Sequence, residues 1–167
     1  MERLTRGWSE PEWHKGPVGK WTSGQILEHL RLTFTGTTKG LVKVMDAGRP
    51  LARKPNFRER LAAFVVTRLG VMPSGRTSPR NIAPQDSLEG DSIRRFYDAL
   101  VAMDATISDA ERRFGREIPL LEHPFLGPLT ARQWRQFHRT HAHHHLRQMA
   151  RHAAHVPSEP RDREFSH

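Results

Sequence analysis

The apolar positions of this chain recur every three or four residues and nowhere alternate over a convincing run, a pattern that predicts helices throughout. A first helix begins near Thr22, where Thr22-Ser23-Gly24-Gln25 has the T-x-x-Q form of a capping box. Its apolar face runs Ile26, Leu30, Phe34, Thr37, Leu41 and Val44, and Gly48 and Pro50 supply the stop. A second helix opens at Asn56, with Glu59 as the reciprocal cap, carries Phe57, Leu61, Phe64, Val65 and Leu69, and stops at Gly70. Residues 71–90 are rich in Pro, Gly, Ser, Asn and Arg and read as a long connection, the length of a crossover.

The third helix spans roughly Asp91 to Phe114, with a stripe of Ile93, Phe96, Tyr97, Leu100, Met103, Ile107, Ala110 and Phe114. The segment Pro119 to Leu129 carries three prolines and reads as an extended or irregular linker. A fourth helix starts at Thr130, where Thr130-Ala131-Arg132-Gln133 repeats the capping box, and continues to about His155. The expected fold is therefore all-α, a four-helix bundle with a long crossover between the second and third helices. Residues 1–156 are expected to form one domain, and 157–167 a charged, flexible C-terminal tail.

Composition narrows the chemistry. The 167 residues suit a single domain, and none of them is cysteine. Disulfides, iron–sulfur clusters, cysteine-ligated zinc and a catalytic thiol of the chain's own are thereby excluded. Apolar runs such as Leu61 to Val66 are far shorter than the roughly 20 residues of a membrane helix. The opening Met1-Glu2-Arg3-Leu4 has no apolar stretch behind it, so a cytoplasmic protein without a signal peptide or membrane partner is expected.

The net charge is +9, with 22 arginines against 5 lysines. That balance is compatible with phosphate contacts, but the basic residues are spread along the whole chain and no DNA-binding motif appears. Nucleic-acid binding therefore ranks below a small, anionic substrate as the use of this charge.

Eleven histidines are the unusual feature, and eight of them lie between His123 and His155. On a helical wheel, Trp134, Phe137, His138, His145 and Gln148 all fall within about 60° of His141, taking 100° per residue. The face that turns its aromatics to the core thus also carries three imidazoles, and burying them without partners would cost several kcal/mol. His141 and His145, an i, i+4 pair, can converge on one ion. His29 is the histidine that the first three helices offer as a third ligand; the plainer reading makes it a buried histidine bonded to a neighbour. The triad His29, His141 and His145 is the economical choice.

Two segments resemble a known family. Trp21-Thr22-Ser23-Gly24-Gln25-Ile26-Leu27-Glu28-His29-Leu30 is similar to the opening helix of the DinB/YfiT-like superfamily. His123-Pro124-Phe125-Leu126-Gly127-Pro128-Leu129-Thr130, then Gln133-Trp134 and His141-x-x-His144-His145-x-x-Gln148, resembles its last helix, most closely in a small bacterial branch. The resemblance implies a four-helix bundle whose divalent metal is held by one histidine of the first helix and two of the last, which map onto His29, His141 and His145. His144 matches a histidine of the motif but falls about 60° to the other side of His141 on the wheel, and is the alternative ligand.

Three imidazoles leave positions open on zinc, the first expectation, or on nickel, iron or manganese. The resemblance implies a metal-dependent transferase or hydrolase, in which the ion activates water or a low-molecular-weight thiol brought by the substrate. His138 and Gln148, on the ligand face, are the candidate catalytic residues, expected to orient substrate or water. His123 stands at the pocket edge or in a structural role, Trp134 in the core, Glu28 in solvent, and Arg31 and Arg147 at the surface. A non-catalytic metal-binding or dimerisation module is the competing reading, and a homodimer is compatible with either.

Overall fold

The computed structural model describes residues 10–72, 82–84 and 91–154. After a single helical turn at Glu10–Trp13 come four long helices: α1 (Ser23–Asp46), α2 (Phe57–Arg68), α3 (Ser92–Phe114) and α4 (Ala131–Ala154). A two-stranded antiparallel hairpin, β1 (Pro119–His123) and β2 (Gly127–Thr130), lies between α3 and α4. The protein is thus mostly helical, roughly in line with the all-α four-helix expectation, with a small sheet that the expectation did not include. Much of the connection 71–90 and the whole tail 157–167 lie outside the described residues. Among the described residues no helix is long and apolar enough to cross a membrane.

Local chemistry starts the helices where the sequence places them. Thr22 and Gln25 exchange their capping hydrogen bonds at 3.2 and 3.0 Å. Asn56 and Glu59 do the same before α2, at 3.0 and 2.8 Å, and Thr130 and Gln133 before α4, at 3.2 and 2.9 Å. Each reciprocal pair satisfies two backbone N–H groups that a helix start otherwise leaves bare.

The core runs through all the elements. Leu30, Phe34, Leu41 and Val44 of α1 meet Phe96, Met103, Ile107 and Ala110 of α3, with Leu120 and Leu129 of the hairpin and Trp134 and Phe137 of α4. The expected stripes of the first and third helices face inward. Gly40 lets the hairpin approach α1, because a Cβ there would stand 2.4 Å from Leu121.

The segment 119–129, expected to be an irregular linker, pairs Leu121 with Leu129 and His123 with Gly127. Proline removes a backbone donor, but a two-stranded hairpin has two open edges where that donor is not needed. Gly127 takes φ of 70° at the turn and lies against the Glu59 side chain, two reasons for a residue without a Cβ.

The second helix departs furthest from expectation. Phe57, Leu61 and Phe64, among the apolar residues it carries, point outward at 79, 54 and 51% exposure. Ala63, Val66 and Thr67 face inward instead. Thr140 of α4 donates to the Val66 carbonyl at 3.2 Å, so the inward face of α2 meets α4 through its smaller residues.

Candidate metal centre

The histidine-rich face of α4 is turned against α1. His138, His141 and His145 of α4 and His29 of α1 are all buried. His141 Nε2 stands 3.2 Å from His29 Nε2 and 3.0 Å from His145 Nε2. The three rings meet edge to face, with centroids 4.7–5.0 Å apart. Donors at about 2.0–2.1 Å from one ion stand about 2.8–3.4 Å apart at octahedral or tetrahedral angles, so the observed spacing is compatible with a shared ion.

The protons decide what this cluster attracts. His29 Nδ1 lies 2.8 Å from the Ile82 carbonyl, which only accepts, so this nitrogen carries the hydrogen and Nε2 presents a bare lone pair. His145 Nδ1 donates to Gln148 Oε1 at 3.1 Å, with the same consequence. Neutral rings therefore bring at most one proton, on His141, to three converging nitrogens. The lone pairs that remain are an arrangement that could hold a cation.

Burial keeps the rings neutral. It lowers the pKa of His29, while the Ile82 hydrogen bond opposes the shift. His145 falls to about 3 and His141 goes well below its ordinary value, in both cases by burial first and then by neighbouring histidines. Neutral imidazole is the form that binds metal, so the electrostatics and the geometry agree. Among the described residues, these three form the one group of histidines and carboxylates with donor atoms within 4.8 Å of one another.

The other candidates are placed differently. His144 is half-buried with its ring 5.1 Å from that of His145, outside the cluster. His138 turns Nε2 to Thr37 Oγ1 at 2.9 Å and stacks near Trp134. Its Nδ1, the His141 Nδ1 and the Trp134 indole nitrogen are buried without a hydrogen-bond partner among the described residues. His123 Nδ1 accepts from the Phe125 and Leu126 amides at 3.1 and 3.2 Å, and its ring lies 4.4 Å from Phe137. It pins the hairpin turn, the structural one of its two expected roles. Trp134 is in the core, 4% exposed. Glu28, expected in solvent, instead pairs with Arg31 at 2.6 Å.

Two contributors escaped the sequence reading. Ile82 acts through its carbonyl, to which no side-chain pattern points. Trp21, half-buried with its ring 4.9 Å from that of His29, lay inside the first quoted motif, but its contact depends on the chain bending back at the cap.

Residues 4–152 match the family model described as "Protein of unknown function (DUF1569)". No curated protein and no solved structure matches the chain.

Proposed function

The chain belongs to the DUF1569 family, and from that premise we propose a metal-dependent transferase or hydrolase whose divalent ion is held by His29, His141 and His145. One observation carries the reading: the Nε2 of His141 stands within hydrogen-bond distance of the Nε2 of both other rings, ligand atoms of all three lie within 4.8 Å of one another, and Ile82 and Gln148 hold the protons of two rings on the far side. The likeness of the two end segments to the DinB/YfiT-like superfamily supports the same ligand set and a bundle of that type over residues 1–156. Imidazole donors suit zinc first, then nickel, iron or manganese.

When bound, such an ion would lower the pKa of water to about 7 or stabilise a thiolate. Everything else is the work of the chain. Gln148 fixes the tautomer of His145, and Ile82 that of His29; both are positioning groups. His138 ties α4 to α1 through Thr37 beside the ligands and keeps the candidate role of orienting substrate or water. Three protein ligands rather than four favour catalysis over a structural site. Because the chain lacks cysteine, a thiol arrives as a separate small molecule. The reading takes the setting as cytoplasmic and the substrate as small and anionic, in keeping with the charge of +9.

Elemental analysis of the untagged protein tests the ligand set. About one equivalent of metal per chain is expected, lost in His29→Ala and in the double variant His141→Ala, His145→Ala. Failure to take up metal on titration overturns the proposal. Full occupancy without turnover of any thiol or ester substrate turns it into a non-catalytic metal-binding module.

A further inference from the structure

A second concentration of chemistry lies between α2 and the start of α4, around a hollow of about 240 Å³. Arg60 and Arg68 of α2 and Arg132 of α4 line it, with Phe64, Gln136 and Glu117. Arg132 and Gln136 leave α4 about 140–180° round the helix from His141, so this hollow is separate from the histidine cluster.

Arg31, Arg53, Arg94, Arg112, Arg116 and Arg135 each meet a carboxylate. Arg60, Arg68 and the half-buried Arg132, like Arg58, Arg95, Arg139 and Arg147, are in no ion pair among the described residues, and what distinguishes these three is that they all line one concavity. Like charges gathered in a concavity raise the local potential and concentrate anions there.

The composition of the hollow indicates which anion. Three guanidiniums less the one carboxylate of Glu117 leave two positive charges, which suits a dianion. Guanidinium forks match phosphate oxygens in pairs, and Gln136 adds an amide. Phe64 contributes an exposed apolar wall. The volume falls below the roughly 300 Å³ at which pockets for drug-sized ligands begin, so the ligand is small. We infer that the hollow between α2 and α4 binds a small phosphate monoester, its dianionic group among Arg60, Arg68 and Arg132 and its apolar body against Phe64.

The test is an NMR titration of the full chain, stripped with chelator so that phosphate cannot bind metal at the histidines, using phenyl phosphate and inorganic phosphate as probes. Saturable shifts confined to α2 and the first turns of α4 are expected, with phenyl phosphate the tighter of the two. Arg68→Gln and Arg132→Gln should each weaken binding about tenfold, the loss of one charge-assisted contact. Glu117→Gln should strengthen it about two- to threefold by removing a like charge. Both arginines replaced are surface or half-buried side chains, and unchanged amide spectra away from the hollow verify the fold. Arg139→Gln, an exposed arginine outside the hollow, should leave affinity unaltered. Equal weakening by Arg139→Gln reveals diffuse charge attraction and overturns the site. So do shifts centred on His29, the absence of saturable shifts, or tighter binding of succinate than of phenyl phosphate.

Discussion

The helices α2 and α4 invert each other. Four histidines of α4 are buried, whereas the largest apolar side chains of α2 stand in solvent. Hydrophobicity alone predicts neither. His29 and His145 are stable inside because their Nδ1 hydrogens find Ile82 and Gln148, and His138 because it finds Thr37. Phe57, Leu61 and Phe64 are outside because α2 meets its neighbours through Ala63, Val66 and Thr67. Burial here follows what the opposing surface can satisfy or accommodate. The two helices accordingly offer different chemistry, a shielded set of neutral nitrogens on one and an exposed apolar and cationic surface on the other.

Truncating the shared core against the exposed face is the severest test of that contrast. Phe34→Ala, at a fully buried ring of α1, should cost about 3–5 kcal/mol in urea unfolding. A loss below 1 kcal/mol would show that the packing around the histidine face is loose.

Acid sharpens the comparison next. Burial lowers His138 to about 3, with the neighbouring His123 adding to the shift, and lowers His123 to about 4, against 6.5 in the unfolded chain. The unfolded state therefore takes up protons that the folded state refuses. Stability is complete above about pH 6.5 and falls as the pH drops toward 4. From pH 7 to pH 5 each of the two should remove about 2 kcal/mol in chelator-treated protein. Replacing both with glutamine should take these two contributions out of the profile and leave those of His29, His141 and His145, which burial also lowers.

Gln148→Ala releases the His145 ring without removing a ligand. Metal affinity should fall about 10- to 100-fold in competition titrations while the fold holds. Unchanged affinity would mean that His145 is oriented by packing alone. The smallest effect belongs to α2: Leu61→Ser, at an exposed position, should change stability by no more than about 0.5 kcal/mol. A much larger loss would place a covering surface over that face.

Much of the architecture was legible because its causes are local. The three reciprocal caps need only residues three apart, and the starts of α1, α2 and α4 follow from them. The stripes of α1 and α3 were legible for a similar reason, since each has one broad apolar face and no rival. On α4 the wheel placed the histidines with Trp134 and Phe137, and all of these are buried. The hairpin was hidden by Pro119, Pro124 and Pro128, which argue against strands in general but not against a two-stranded ribbon. The orientation of α2 was hidden because its larger residues suggest one face, whereas Ala63, Val66 and Thr67 form the one that packs inward.

By itself, then, the sequence determined where helices begin, which faces of α1, α3 and α4 turn inward, and that no thiolate of the chain can meet a metal, since it has no cysteine. These are consequences of neighbouring residues and of helical period. Only the tertiary structure decided that His29 lies opposite His141 and His145 across a separation of 112 residues, that the Ile82 carbonyl sets its proton, and that α2 faces outward. Those outcomes depend on which surfaces meet, and neither the aim of a backbone carbonyl nor the helix face a neighbour covers leaves a mark in the order of the residues.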